Sequence, residues 1–214
     1  MNKNRENGAY KTGVCYIVSA GDSSPDFLPE KKDGDLLIAA DAGYKALRDA
    51  GIEPDVFIGD GDSLGFIPDT ADKVVLPCVK DVTDTHAAID LGFERGYSRF
   101  AIYGALGGNR FSHSLANLQC LSHIAEAGGE GVICDEKCTV RLICAGEEYR
   151  FSGTDGFFSL FPWNGEASVS VRGAKYELEK AKIPSASTLG ASNEPRGECA
   201  VTVHSGKVLF VRDF

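Results

Sequence analysis

Residues 36–63 read LLIAADAGYKALRDAGIEPDVFIGDGDS. Leu36–Ala40 is an unbroken apolar run, as expected of a strand buried on both faces, and it ends at Asp41-Ala42-Gly43. A helical stretch runs on to Ala50. A second apolar run, Val56–Ile58, then stops at Gly59-Asp60-Gly61-Asp62-Ser63. Strand, helix and strand joined by short turns predict a parallel α/β sheet, with acidic residues at the carboxyl ends of its strands.

The same grammar extends outward. Val14–Ala20 reads as a strand running into Gly21-Asp22, and Val74–Leu76 as another. Thr83–Arg95 has helical spacing with Thr83 or Asp84 as its cap. Phe100–Tyr103 is a strand ending in the glycine loop 104–108, followed by a helix over Ser112–Ala127 and a strand at Val132–Cys134. After about Thr139 the pattern changes. Seven short β-branched or aromatic runs, from TVRLICA to KVLFVRD, alternate with Gly, Pro and Asn turns, and no helical period remains. The expectation is an α/β domain over 1–138 followed by a smaller all-β, sandwich or barrel-like domain over 139–214. Trp163 reads as a core or turn aromatic.

The chain has 22 Lys and Arg against 31 Asp and Glu, a formal charge of −9. That balance argues against nucleic acid and against an anionic membrane surface as partners, since both demand a basic face. Residues 41–90 alone hold ten Asp and one Glu against four Lys and Arg. The polar opening MNKNRENGAYKTG has no apolar core of a signal peptide, and no apolar run is long enough to span a bilayer. Seven scattered cysteines, Cys78 among them, fit reduced thiols in a cytoplasm. Cys134-x3-Cys138 lacks a second Cys/His pair at zinc spacing and reads as small hydrophobes near a strand end.

Ligands of parallel α/β sheets sit beyond the carboxyl ends of the strands. Gly21, Asp41 to Gly43, Asp60, Asp62 and the 104–108 loop all fall there. Asp60 and Asp62, separated by one glycine after a buried strand, can turn both carboxylates to one cation. Hard oxygen donors of this kind suit Mg²⁺. Helix caps and turn formers are the alternative for such Asp residues; Asp84 alone favours the cap, Asp60 and Asp62 together the metal. The glycine loop offers amides to a phosphate, although it matches neither G-x-G-x-x-G nor the P-loop pattern.

Taken in order, these segments resemble the thiamine pyrophosphokinase family. They are Asp41-Ala42-Gly43, Gly59-Asp60-Gly61-Asp62-Ser63, Lys80-Asp81-Val82-Thr83-Asp84, Gly107-Gly108-Asn109-Arg110-Phe111-Ser112-His113, Leu115-Ala116-Asn117 and Gly190-Ala191-Ser192-Asn193-Glu194. The resemblance implies transfer of a diphosphate from ATP to the thiamine hydroxyl, with release of AMP. It implies Asp60, Asp62 and Asp84 as Mg²⁺ ligands, with Asp81 and Thr83 supporting them against phosphate. Gly21, Asp41, Gly43, Gly107 and Asn117 would lie along the nucleotide. Arg110 and His113 would stabilise phosphate or the leaving group. Thiamine would sit across a homodimer interface, with Ser192 and Asn193 as hydrogen-bonding partners and Phe210 for stacking; plain core packing is the alternative for Phe210. Two positions depart from the family pattern. Ser112, expected among the substrate-binding residues, stands where relatives have Asp before the motif histidine, which keeps hydrogen bonding but removes a charge, and Gly61 where many carry an aromatic. A pyrophosphokinase for another alcohol such as a pterin, and a non-catalytic thiamine- or nucleotide-binding protein, are the rival functions.

Overall fold

The computed structural model describes residues 10–77 and 81–214; Cys78 and Lys80 lie outside them, as does the polar stretch 1–9. The chain divides between Glu136 and Lys137 into two compact units. The first contains β1 (Cys15–Val18), β2 (Leu36–Ala40), α1 (Gly43–Asp49), β3 (Val56–Gly59), β4 (Lys73–Val75), α2 (Asp84–Glu94), β5 (Arg99–Tyr103), α3 (Phe111–Glu126) and β6 (Glu130–Cys134). Its strands lie in the order β4-β3-β2-β1-β5-β6, all parallel. The chain builds outward from β1 through β2 and β3 to β4, then returns to the other side of β1 as β5. A topological switch point therefore lies between β1 and β5, where open α/β sheets form their binding crevice.

Local chemistry explains the elements. All five residues of β2 and all four of β3 are buried, as the unbroken apolar runs predict. In α2, Thr83 is the N-cap and its hydroxyl oxygen accepts from the His86 N–H at 3.2 Å. Helix α3 buries Ser114, Asn117, Cys120, Leu121 and Ile124, one stripe at three- and four-residue spacing. The buried thiols of Cys15 and Cys120 are pushed up by desolvation to about 12 and about 11, so both stay protonated as small apolar fillers.

The second unit is all β. Strands β7 (Cys138–Cys144), β13 (Lys207–Asp213) and β9 (Phe157–Pro162) form one antiparallel group, with β13 in the middle. Strands β11 (Leu178–Ile183), β10 (Ala167–Ala174), β12 (Pro195–Ser205) and β8 (Glu148–Gly153) form an antiparallel four-stranded sheet in that order. Both contribute to a core containing Phe158, Leu160, Val169, Val171, Val201, Val203, Val208 and Phe210. Alternate residues of β10 and β12 supply that core, which is the period-two pattern of a half-buried strand.

Helix α1 lies unusually close to the sheet. A Cβ on Gly43 would sit 1.9 Å from the Val18 carbonyl oxygen, a clash with main chain rather than with a movable side chain. Gly43 is thus a packing requirement of the β2–α1 turn. Gly43→Ala should cost about 2 kcal/mol or more. Thermal melting should show a drop of several degrees; an unchanged Tm would contradict the packing.

Candidate active site

The carboxyl ends of β1, β2, β3 and β5, with the first turns of α2 and α3, enclose a cleft of about 460 Å³ within the first unit. It lies over the switch point. Asp41, Asp60, Asp62 and Asp84 line it, as do Gly21, Thr83, Gly107, Arg110, His113 and Asn117. Arg110 is the only Lys or Arg among the described lining residues.

The register of β2 against β3 pairs Ala40 with Ile58, so Asp41 and Gly59 emerge side by side. Asp41 sits in the left-handed region at φ 46, which Asp tolerates better than most side chains. Its N–H donates to the Ile58 carbonyl at 2.9 Å and its carbonyl accepts from Tyr44 at 3.0 Å. Gly59 makes room for it: a Cβ there would lie 3.1 Å from both Cα and Cβ of Asp41. On the next loop the Asp62 N–H donates to Asp60 Oδ1 at 3.1 Å, and the Ser63 hydroxyl donates to Asp62 Oδ1 at 3.1 Å. Gly61, at φ 71, closes this turn with its Cβ position 2.6 Å from the Phe66 carbonyl oxygen. The turn has no room for a side chain at position 61.

Carboxylate oxygens of Asp41, Asp60 and Asp62 all lie within 4.8 Å of one another. Asp41 is 6 % exposed, and its Oδ1 is buried without a hydrogen-bond partner. Desolvation raises its pKa above the ordinary carboxylate value, and the charges of Asp84 and Asp62 add to the rise. Hydrogen bonding from Ser63 and the Ala42 N–H opposes it. A buried carboxylate oxygen with no donor, beside two further carboxylates, fits a hard divalent cation. Asp84 lines the same cleft from the first turn of α2 but lies outside this close triplet. Asp41, expected along the nucleotide, is the third member of that triplet.

Helix α3 carries much of the opposite wall. Asn117 is buried and its Nδ2 donates to the Ala105 carbonyl at 2.8 Å, which ties the glycine loop to the helix. The Gly108 N–H is taken by Asp22 Oδ2 at 2.9 Å, a loop contact that sequence reasoning did not single out. Just past β1, the Ser19 hydroxyl meets Thr85 Oγ1 at 2.9 Å and joins the strand end to α2.

Several expected site residues stand elsewhere. Gly43, the first residue of α1, is buried against Val18 and does not line the cleft. Asp81 and Ser112 are exposed and outside its lining. In the second unit, Asn193 Oδ1 accepts from the Tyr176 N–H (3.0 Å) and the Glu194 N–H (2.9 Å), while its Nδ2 donates to the Tyr176 carbonyl (2.7 Å). Those bonds brace a turn and use most of the side chain's capacity. Phe210 is 1 % exposed and packs against Tyr149, Phe151 and Phe158, so its ring is core rather than a stacking platform. Ser192 is exposed at φ 57 beside Asn193, its N–H bonded to the Ser159 hydroxyl at 3.0 Å.

Two family models match the chain in succession. Residues 29–130 match the thiamin pyrophosphokinase catalytic domain and residues 149–209 the thiamin pyrophosphokinase vitamin B1 binding domain. The chain belongs to the thiamin pyrophosphokinase family. A thiamine pyrophosphokinase of Bacillus subtilis (strain 168) is 28% identical over 188 residues, 83% of this chain and 87% of that protein. A crystal structure of thiamine pyrophosphokinase from Bacillus subtilis superposes with a TM-score of 0.82 at 25% identity, covering 94% of this chain and 98% of that one. The Geobacillus thermodenitrificans structure gives 0.78 at 25% identity, covering 94% and 97%. The yeast structure, at 14% identity, shares the fold with a TM-score of 0.73, over 97% of this chain and 88% of that one. Catalytic and vitamin-binding domains together support thiamine pyrophosphorylation as the activity, with ATP and thiamine as substrates and a divalent metal accompanying the nucleotide.

The raised pKa of Asp41 gives a signed prediction. Its ionised form is penalised in the metal-free fold, and the penalty is full above its folded pKa and vanishes below the ordinary value of 3.8. Metal-free Asp41→Asn should therefore melt above the wild type at pH 7.5, with the difference closing towards pH 4. Mg²⁺ should raise the melting point of the wild type and leave the variant nearly unmoved. A metal-free variant that melts lower at pH 7.5 would contradict this.

Proposed function

We propose that Asp41, Asp60 and Asp62 hold Mg²⁺ in this cleft and that the triphosphate of ATP binds there through it. The observation that carries this reading is the gathering of three carboxylates within 4.8 Å at the switch point, one of them, Asp41, with a buried oxygen that has no hydrogen-bond partner. Four acidic side chains and one arginine line the cleft, so a polyanion needs a cation to enter it. Bound Mg²⁺ supplies charge neutralisation of the phosphate oxygens. Asp84, close enough to Asp41 to raise its pKa, completes the acidic wall from α2.

The remaining roles follow from position. Arg110 and His113, one helical turn apart at the start of α3, face the cleft opposite the carboxylates and bind phosphate or the departing AMP. Gly21, Gly107 and Thr83 shape the cleft against the nucleotide, and Asn117 holds the loop on which Gly107 sits. The thiamine oxygen forms a bond to the β-phosphorus as the bond between that phosphorus and the α–β bridging oxygen breaks. The alcohol proton is released and the bridging oxygen leaves on AMP. The domain division expected at 138/139 places the vitamin-binding part in the all-β half. Ser192, exposed and held by Ser159, is the residue of its turn left available to thiamine. A homodimer with the vitamin at its interface, acting in the cytoplasm, is part of the same reading. Among the described residues no helix is long and apolar enough to cross a membrane.

AMP release from ATP and thiamine tests the proposal. Asp60→Asn and Asp62→Asn should each lower kcat/KM by about 100-fold or more at saturating Mg²⁺, equivalent to roughly 2.7 kcal/mol of transition-state stabilisation. Near-normal rates would remove them from the metal site. Ser112→Asp, outside the cleft lining, should change the rate less than about threefold. Because α3 has no acidic residue in its first turn, the same substitution should stabilise the fold by roughly 0.3–1 kcal/mol. A large rate gain would instead place position 112 in the reaction.

A further inference from the structure

A second cluster of metal-ligating side chains lies outside the cleft lining, between α2 and α3. His86 and Asp90 are four residues apart on α2, so they share one helix face, and His123 on α3 meets them. One ring nitrogen from each histidine and one carboxylate oxygen all lie within 4.8 Å of one another. Asp90 is the hub. Its Oδ1 is 2.7 Å from His123 Nε2, and its Oδ2 is 3.8 Å from His86 Nε2. The two imidazole rings face each other at 4.1 Å between centroids, tilted by 32°.

We propose that His86, Asp90 and His123 bind one borderline-soft divalent cation, with Zn²⁺ as the best match. The donor set separates this site from the cleft. Two imidazoles and one carboxylate select Zn²⁺ and its neighbours, whereas an all-carboxylate cluster selects Mg²⁺. Three protein donors with Asp90 half exposed leave a fourth position open to water, the arrangement of an open tetrahedral zinc site. Tetrahedral ligand bonds of about 2.0–2.2 Å require the His86 and Asp90 atoms to draw together, the 2.7 Å contact of Asp90 with His123 to open, and the facing rings to turn towards the ion, side-chain adjustments at partly exposed positions. An ion pair alone accounts for less of what is present. One carboxylate is shared by two histidines, and surface ion pairs at such exposure contribute about 0–1 kcal/mol.

Such an ion would clip α2 to α3. The N-terminal ends of these helices carry Thr83 and Asp84 on one side of the cleft and Arg110 and His113 on the other. Occupancy would therefore stiffen the scaffold that spaces the acidic and basic walls.

Metal-stripped full-length protein, first saturated with Mg²⁺ to fill the carboxylate cluster, is titrated with Zn²⁺ by calorimetry and with Co²⁺ by absorption. The expected result is one equivalent bound, a visible cobalt spectrum without a near-ultraviolet thiolate band, and at least a tenfold loss of affinity in His86→Ala and in His123→Ala. Binding should persist in Asp60→Asn and in Cys134→Ser. His123→Gln, which keeps a hydrogen-bonding group towards Asp90 but not the imidazole, should also lose the ion while melting like the wild type in Mg²⁺. No stoichiometric binding, a thiolate band, or unchanged affinity in the histidine variants would each overturn the proposal.

Discussion

Three carboxylates with oxygens within 4.8 Å repel one another, and much of the first unit serves to hold them there. Each is brought in by backbone rather than by side-chain reach. Asp41 is placed by the end of β2 and by a left-handed turn, while Asp60 and Asp62 are placed by the loop after β3. The parallel register sets those strand ends side by side, and Gly59 leaves the space Asp41 needs. Burial first, and the charges of Asp84 and Asp62 after it, raise the pKa of Asp41, so its ionised form is costly here without a cation. Binding sites commonly retain local destabilisation of this kind.

The rest of the cleft follows from that constraint. In the proposed function a triphosphate would meet an acidic wall and, among the lining residues, a single arginine with a histidine, so its affinity would come through metal. The wall formed by α3 is kept in place by Asn117, whose side chain is committed to the glycine loop. The four-stranded sheet and its partner strands keep their own apolar core. In that unit Asn193 and Phe210 maintain the fold, and the exposed Ser192 is what their order presents.

Much of this was legible in the sequence where a local rule applied. Apolar runs ending in Asp and Gly marked β2 and β3, the Thr83 cap marked the start of α2, and alternation after Thr139 marked the β unit. What local rules cannot supply is register and depth. Asp41 joins Asp60 and Asp62 only because Ala40 pairs with Ile58, a fact of strand pairing. Gly43 belongs to packing because of how closely α1 approaches Val18. Phe210 sits mid-strand and packs against Tyr149, Phe151 and Phe158, and burial of that kind follows from how strands stack. His86 and Asp90 drew no attention in the sequence, because their spacing of four on one helix gains meaning only once the packing of α2 on α3 brings up His123.

The central claim is that this acidic cleft binds its polyanion only through the metal held by Asp41, Asp60 and Asp62. The most direct measurement is calorimetric titration of a non-hydrolysable ATP analogue into the metal-stripped protein, with and without saturating Mg²⁺. The account predicts binding with Mg²⁺ and at least a hundredfold weaker binding without it. Equal affinity in the two conditions would contradict it.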